Sequence, residues 1–195
     1  YYCSNNFDVI NAIASNSLVF WGLLIAQLGA VMYLSVRINN LSLTTAGIVF
    51  LLYAVLTGVT FSFIFLVYTM ESIASTFFIT AGTFGAMSLV GYFIKKDLSA
   101  IGRFLIMALI GLIIASIVNI FLQSSGLTLI CTYVGVLLFS GLTAYDTQKI
   151  KQMFLMHGAE MNESTMKLAL MGCLTLYLDF INLFLYLLRI FGYGK

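Results

Sequence analysis

The sequence predicts an all-α membrane protein, a polytopic helical bundle, and three observations carry that reading. Of 195 residues 62% are hydrophobic and only 8% are charged, whereas a soluble domain carries about a quarter charged residues. Six segments offer about 20 mostly apolar residues each, the length needed to cross a hydrocarbon core of roughly 30 Å. These runs are too long and too continuously apolar for the alternating pattern of barrel strands, so their backbone groups must pair within helices. Spans and linkers together fill residues 1–195, which predicts a single transmembrane domain with no room for an aqueous one.

In chain order the predicted spans are Ser17 to Val36, Thr44 to Tyr68, Ser75 to Ile94, Ile101 to Leu122, Leu127 to Ile150 and Lys167 to Tyr193. Breaks between them fall at RINNLS (37–42), MES (70–72), KKDLS (95–99), QSSG (123–126) and the longer KQMFLMHGAEMNESTM (151–166). The chain has no proline, so its loops rely on Asn, Ser and Gly, and a kink is expected at a glycine or an inserted water. Small residues at four-residue spacing, Gly22, Ala26 and Ala30, then Ala81 and Gly85, then Gly111 and Ala115, are expected to mark close helix packing.

Lys and Arg in the short loops set the orientation. Arg37, the pair Lys95 and Lys96, and the group Lys149, Lys151 and Lys167 alternate with loops at 70–74 and 123–126 that hold no Lys or Arg. The positive-inside rule places the first set in the cytoplasm, and therefore the opening residues and Lys195 outside. An outside start without an initiator Met or a basic signal-peptide region implies a further span upstream, seven in the intact protein. The net charge of +2 and the lack of a basic aromatic stripe argue against nucleic acid as a partner.

Cysteine and histidine point to no metal or redox chemistry. Cys3, Cys131 and Cys173 have no CxxC or Cys/His ligand spacing and read as packing residues. His157 reads as a solvated loop residue. Asp8, Glu71, Asp97, Glu160 and Glu163 fall in loops or tails as solvated charges.

Two carboxylates do not fit that pattern. Asp146 in GLTAYDTQKI (141–150) and Asp179 in LYLDFINLF (176–184) lie within predicted spans, where an ionised carboxylate costs roughly 3 kcal/mol on insertion scales. Thr175, Asp179, Asn182, Tyr186 and Arg189 advance by three or four residues and form one helical stripe, so the last span has a polar face that must turn inward. That face makes the C-terminal span central to the bundle. Asp146 lies near the cytoplasmic end of its span. Asp179 follows Lys167 by about 18 Å along the axis. The two depths agree if the last helix begins in the cytoplasm, and NEST (162–165) supplies cap residues for such a start. Two carboxyls in contact would share one proton and titrate as a pair. The plainer alternative is an interhelical hydrogen bond that only fixes packing.

GLTAYDTQKIK (141–151) and LYLDFINLFLYLLRIFG (176–192) resemble the signature of the Bax inhibitor-1 (transmembrane Bax inhibitor motif) family, with supporting similarity to its bacterial members over STFFITAGTFGAMSLVGYFIKKDLS (75–99) and around Asn119. The resemblance implies seven helices with the last one central, residence in the bacterial inner membrane, and a pH-sensitive calcium leak. Its paired-aspartate sensor and gate would be Asp146 and Asp179, which could also touch the permeant Ca2+. Arg37 occupies the place of the family's latching arginine. Gln27 stands where an acidic residue is common, a departure that bears on calcium selectivity. Asn182, Asn119 and Gln27 are candidates for pore lining or for interhelical hydrogen bonds, while Arg103 and Arg189 can snorkel toward an interface. The implied partners are the bilayer, Ca2+ and protons, with no resident cofactor and no enzymatic activity.

Two other classes compete. An intramembrane aspartyl protease also uses two helix-borne aspartates, but its GxGD half-motif is here LYLD and its proline-containing motif cannot exist in this chain. A regulator of other membrane proteins, acting on membrane proteolysis or cell-death machinery without ion flux of its own, is compatible with the same residues.

Overall fold

The computed structural model describes residues 22, 25–27, 29–33, 37, 41–157 and 163–194. Among the described residues from 41 onward six helices follow one another: α1 (Leu43–Phe61), α2 (Ile64–Val67), α3 (Met70–Phe93), α4 (Ser99–Leu122), α5 (Ser125–His157) and α6 (Glu163–Phe191). Residues 25–27 and 29–33 are also helical. Among the described residues α1, α3, α4, α5 and α6 are long and apolar enough to cross a membrane. The first predicted span, Ser17 to Val36, lies mostly outside the described residues. Extended pairing among them is limited to an isolated antiparallel bridge between Tyr68 and Gly194.

Three boundaries differ from expectation: the predicted break at MES (70–72) is the first turn of α3, and two others have local reasons. The predicted span Thr44 to Tyr68 is interrupted at Ser62, which is not a glycine. The amides of Ser62 and Phe63 reach back only three residues, to the carbonyls of Val59 and Thr60 at 3.1 and 3.3 Å, and the Ser62 hydroxyl donates to Val59 O at 2.6 Å. A buried serine that bonds its own preceding turn tightens the helix and ends it. The other lies in the predicted 151–166 loop. Most of it is helix, since α5 runs to His157 and α6 begins at Glu163. KQMFLMH contains no helix breaker before Gly158; lysines at a membrane surface end a span without ending a helix. Within the first turn of α6 an i,i+4 ion pair joins Lys167 to Glu163 at 3.0 Å, as helical spacing allows.

The helix ends are capped locally. The Ser42 hydroxyl accepts from the Thr45 amide at the start of α1. Before α4, Asp97 Oδ1 accepts from the Ser99 amide at 2.9 Å and from its hydroxyl at 2.7 Å. These bonds hold the Asp97 carboxyl below its ordinary value. α4 closes on Gln123 in the left-handed conformation, φ 49°, with its amide on Asn119 O at 2.8 Å.

The chain divides into two compact units, residues 1–70, 160–171 and 193–195 in one and residues 71–159 and 172–192 in the other. In the first, the Gln27 side chain donates to Leu56 O at 2.8 Å and to the Thr60 hydroxyl of α1. The second has a core built by Leu112 of α4, by Cys131, Leu138, Phe139 and Leu142 of α5, and by Leu183 and Leu187 of α6. Phe139 stacks on Tyr186 at 5.7 Å, and Phe180 meets Phe77 and Phe84 of α3 edge to face at 5.7 and 5.4 Å. Large apolar side chains face outward, among them Phe78, Leu137 and Phe121, an apolar exterior that suits hydrocarbon and not water.

Candidate functional site: a carboxyl pair between two spans

Both carboxylates belong to the second unit and to membrane-length helices. Asp179 projects from the buried face of α6, which also presents Leu183, Leu187 and Leu188, and it is only 5% exposed. Asp146 is half-buried on α5. The two carboxyl groups meet in side-chain hydrogen-bond contact. Ionised carboxylates have no donor, so a hydrogen bond between two carboxyl groups requires a proton on one of them. Among the described residues the second oxygen of Asp179 is buried without a hydrogen-bond partner, an uncommon condition for a buried polar atom. α5 continues past Asp146 for roughly three turns, and α6 precedes Asp179 by more than four.

Close helix approach positions Asp146. A Cβ at Gly91 of α3 would collide with the backbone of Ala144, and one at Gly102 of α4 would collide with the Tyr145 ring. Residues 144 and 145 are thus clamped by α3 and α4 just before the carboxylate. The glycines expected at close approaches, Gly22, Gly85 and Gly111, instead have nothing within 4 Å of a built Cβ. Four-residue spacing marks a smooth stripe, but only packing decides which stripe meets a neighbour.

The other predicted residues occupy varied places. The Asn119 amide donates to the Thr128 hydroxyl at 2.7 Å, and its oxygen accepts from the Ser124 amide at 3.0 Å, so it binds the α4–α5 turn. Asn182 donates to Leu178 O in its own helix at 2.8 Å. Gln27 and the exposed, helical Arg37 belong to the first unit. Of the polar stripe on α6, Asp179 is buried, Tyr186 is half-buried against Phe139, and Arg189 is exposed with its guanidinium 5.6 Å from the Tyr186 ring. Cys131 is buried and Cys173 exposed, both as free thiols.

Sequence reasoning passed over Gln148. It is buried, accepts from the Leu98 amide at 2.8 Å, and donates to the carbonyls of Lys96 at 2.9 Å and Ile94 at 3.4 Å. One amide thus satisfies the chain between α3 and α4. Nearby, Lys151 donates to Tyr92 O at 2.7 Å and lies 4.5 Å from the Tyr92 ring centre. The available signal was a neutral amide two residues beyond Asp146, in a run otherwise headed for solvent.

Among the described residues no group of three or more His, Cys, Asp or Glu could enclose a metal ion. A calcium ion takes six to eight oxygens, so two carboxyls could touch a passing ion but not cage one.

Comparison with known proteins adds ancestry to this geometry. The family described as "Inhibitor of apoptosis-promoting Bax1" matches residues 3–195. The chain is 52% identical over 192 residues to the inner membrane protein YbhL of Escherichia coli, covering 98% of this chain and 82% of that protein. It is 49% identical over 192 residues to an uncharacterized protein of Borreliella burgdorferi, with the same coverage. It is 35% identical over 185 residues to an uncharacterized membrane protein of Streptococcus pyogenes, covering 95% and 79%.

Proposed function

The chain belongs to the Bax inhibitor-1 family, and from that membership we propose that it is a pH-sensitive calcium leak channel of the bacterial inner membrane, with Asp146 and Asp179 as sensor and gate. The observation that carries the proposal is the contact of two carboxyl groups from separate membrane-length helices, one of them with an unpartnered buried oxygen. A carboxyl pair used only to fix packing would satisfy its oxygens.

With one proton between them the two groups attract. Once both ionise, unit charges about 4 Å apart repel by about 4 kcal/mol at an effective dielectric of 20. A shift from 1:99 to 99:1 between two states takes about 5.5 kcal/mol, so this repulsion supplies much of the energy needed to separate α5 from α6. Approach of a cation offers the other relief. Calcium is cargo in this scheme, and the pair meets it in transit. Arg37 is the proposed latch that restrains the closed state.

The test is calcium entry into proteoliposomes containing only this protein, followed from mild acid to mild alkali. The wild type should show flux that varies with pH, Asp146→Asn and Asp179→Asn should lose the variation, and Arg37→Gln should raise flux while keeping it. A flat wild-type baseline equal to empty liposomes would reject the channel and favour a regulator of other membrane proteins.

A further inference from the structure

Beyond the carboxyl pair, the basic end of the second unit contains a cavity of about 590 Å³ between α3, α5 and α6. Its walls are mostly apolar, from Ile150, Phe154, Leu155 and Leu176, with Lys151 and Tyr92 as the polar edge. A second cavity of about 560 Å³ shares Tyr92, Lys151 and Leu155 and adds Lys95 and Gln152. Leu155 and Tyr92 are exposed, so the space is open on that side, and the Lys95 side chain is exposed at its rim. Tyr92 fixes Lys151 through its carbonyl and ring, which leaves the ammonium further N–H groups to donate. The carboxylate in the adjoining loop, Asp97, is held by Ser99.

We propose that this cavity binds an anionic phospholipid, with the phosphate between Lys95 and Lys151 and an acyl chain along Ile150, Phe154, Leu155 and Leu176. Charge complementarity selects the occupant. The apolar slot suits a hydrocarbon tail, and two ammonium groups at its mouth suit a headgroup with net negative charge. Basic pockets between spans on the cytoplasmic side take such headgroups, and each Lys adds about fivefold in affinity. The aromatic Tyr92 beside the lysines matches the interfacial level of a headgroup. A soluble phosphate would use the lysines and leave the apolar slot without a role.

Native mass spectrometry of the full chain, titrated with dioleoyl phosphatidylglycerol or dioleoyl phosphatidylcholine, reads the site directly. The expected result is preferential retention of phosphatidylglycerol, weakened about fivefold by Lys151→Gln and by Lys95→Gln, and unaffected within about twofold by Lys96→Gln, which removes the same charge outside the cavity. Leu155→Glu, at an exposed position, should also reduce retention by placing a carboxylate in the slot. Free glycerol 3-phosphate should fail to compete. Equal retention of the two lipids, an effect of Lys96→Gln as large as that of Lys151→Gln, or competition by glycerol 3-phosphate would overturn the proposal. The first denies charge selection, the second a local site and the third a lipid source.

Discussion

Asp179 and Gln148 are both buried polar residues on membrane-length helices of the same unit, yet they end in opposite states. Gln148 accepts from one backbone amide and donates to two carbonyls. Asp179 leaves one oxygen without a partner while its carboxyl contacts a second acid. A neutral amide has both donors and acceptors and can be satisfied by fixed backbone, so it belongs to the architecture. A carboxyl pair is satisfied only with a mobile proton or a visiting cation, so its state depends on the medium. Satisfaction, more than polarity, separates the structural residue from the candidate functional one.

The largest effect that would sharpen this contrast concerns the acid pair. Asp179→Asn should keep the fold, because an amide can donate to Asp146, but should reduce the pH-dependent change in calcium flux by about tenfold, a difference of about 1.4 kcal/mol between the two states. Retention of a wild-type pH profile in proteoliposomes would break the comparison. Gln148→Leu should do the reverse, costing about 3 kcal/mol by orphaning the Leu98 amide and the Lys96 carbonyl. Thermal unfolding in detergent measures that loss, with the midpoint of the flux–pH curve unmoved.

A smaller loss, about 2 kcal/mol, is expected for Gly91→Ala, whose new methyl meets the immobile Ala144 backbone. Gly102→Ala should cost less, since the Tyr145 ring can turn away. Reversal of that order in unfolding midpoints would show that α5 is not clamped as described.

The smallest effect lies in the loop. The Asp97 carboxyl is lowered below its ordinary value by the Ser99 hydroxyl and amide, so its contribution to stability is present above the unfolded-state value and is lost as pH falls through the folded one. Ser99→Ala should move the Asp97 titration upward, as followed by NMR of the carboxyl carbon, with little change in global stability because the group is at the surface.

Much of the fold was legible from composition. Four of the six predicted spans match helices α3 to α6. The errors share a cause. Hydropathy reports where a segment leaves hydrocarbon, and helical hydrogen bonding need not stop there, so α5 outlasts its lysines. The break at Ser62 depends on a hydroxyl turning toward its own backbone, which residue type alone does not decide. The pair was legible for a different reason: acids at two membrane positions are costly enough to stand out without any coordinates.

The amino-acid sequence by itself determined the solvent of this protein, its helical class and the identity of its two anomalous acids, because those follow from transfer free energies and local periodicity. Tertiary structure alone decided that residues 33 positions apart meet, that Gly91 and Gly102 and not Gly85 or Gly111 face a neighbour, and that Gln148 holds the α3–α4 connection. Such outcomes depend on the rotation and axial offset of each helix against the others, and those are set by the packing of many side chains at once.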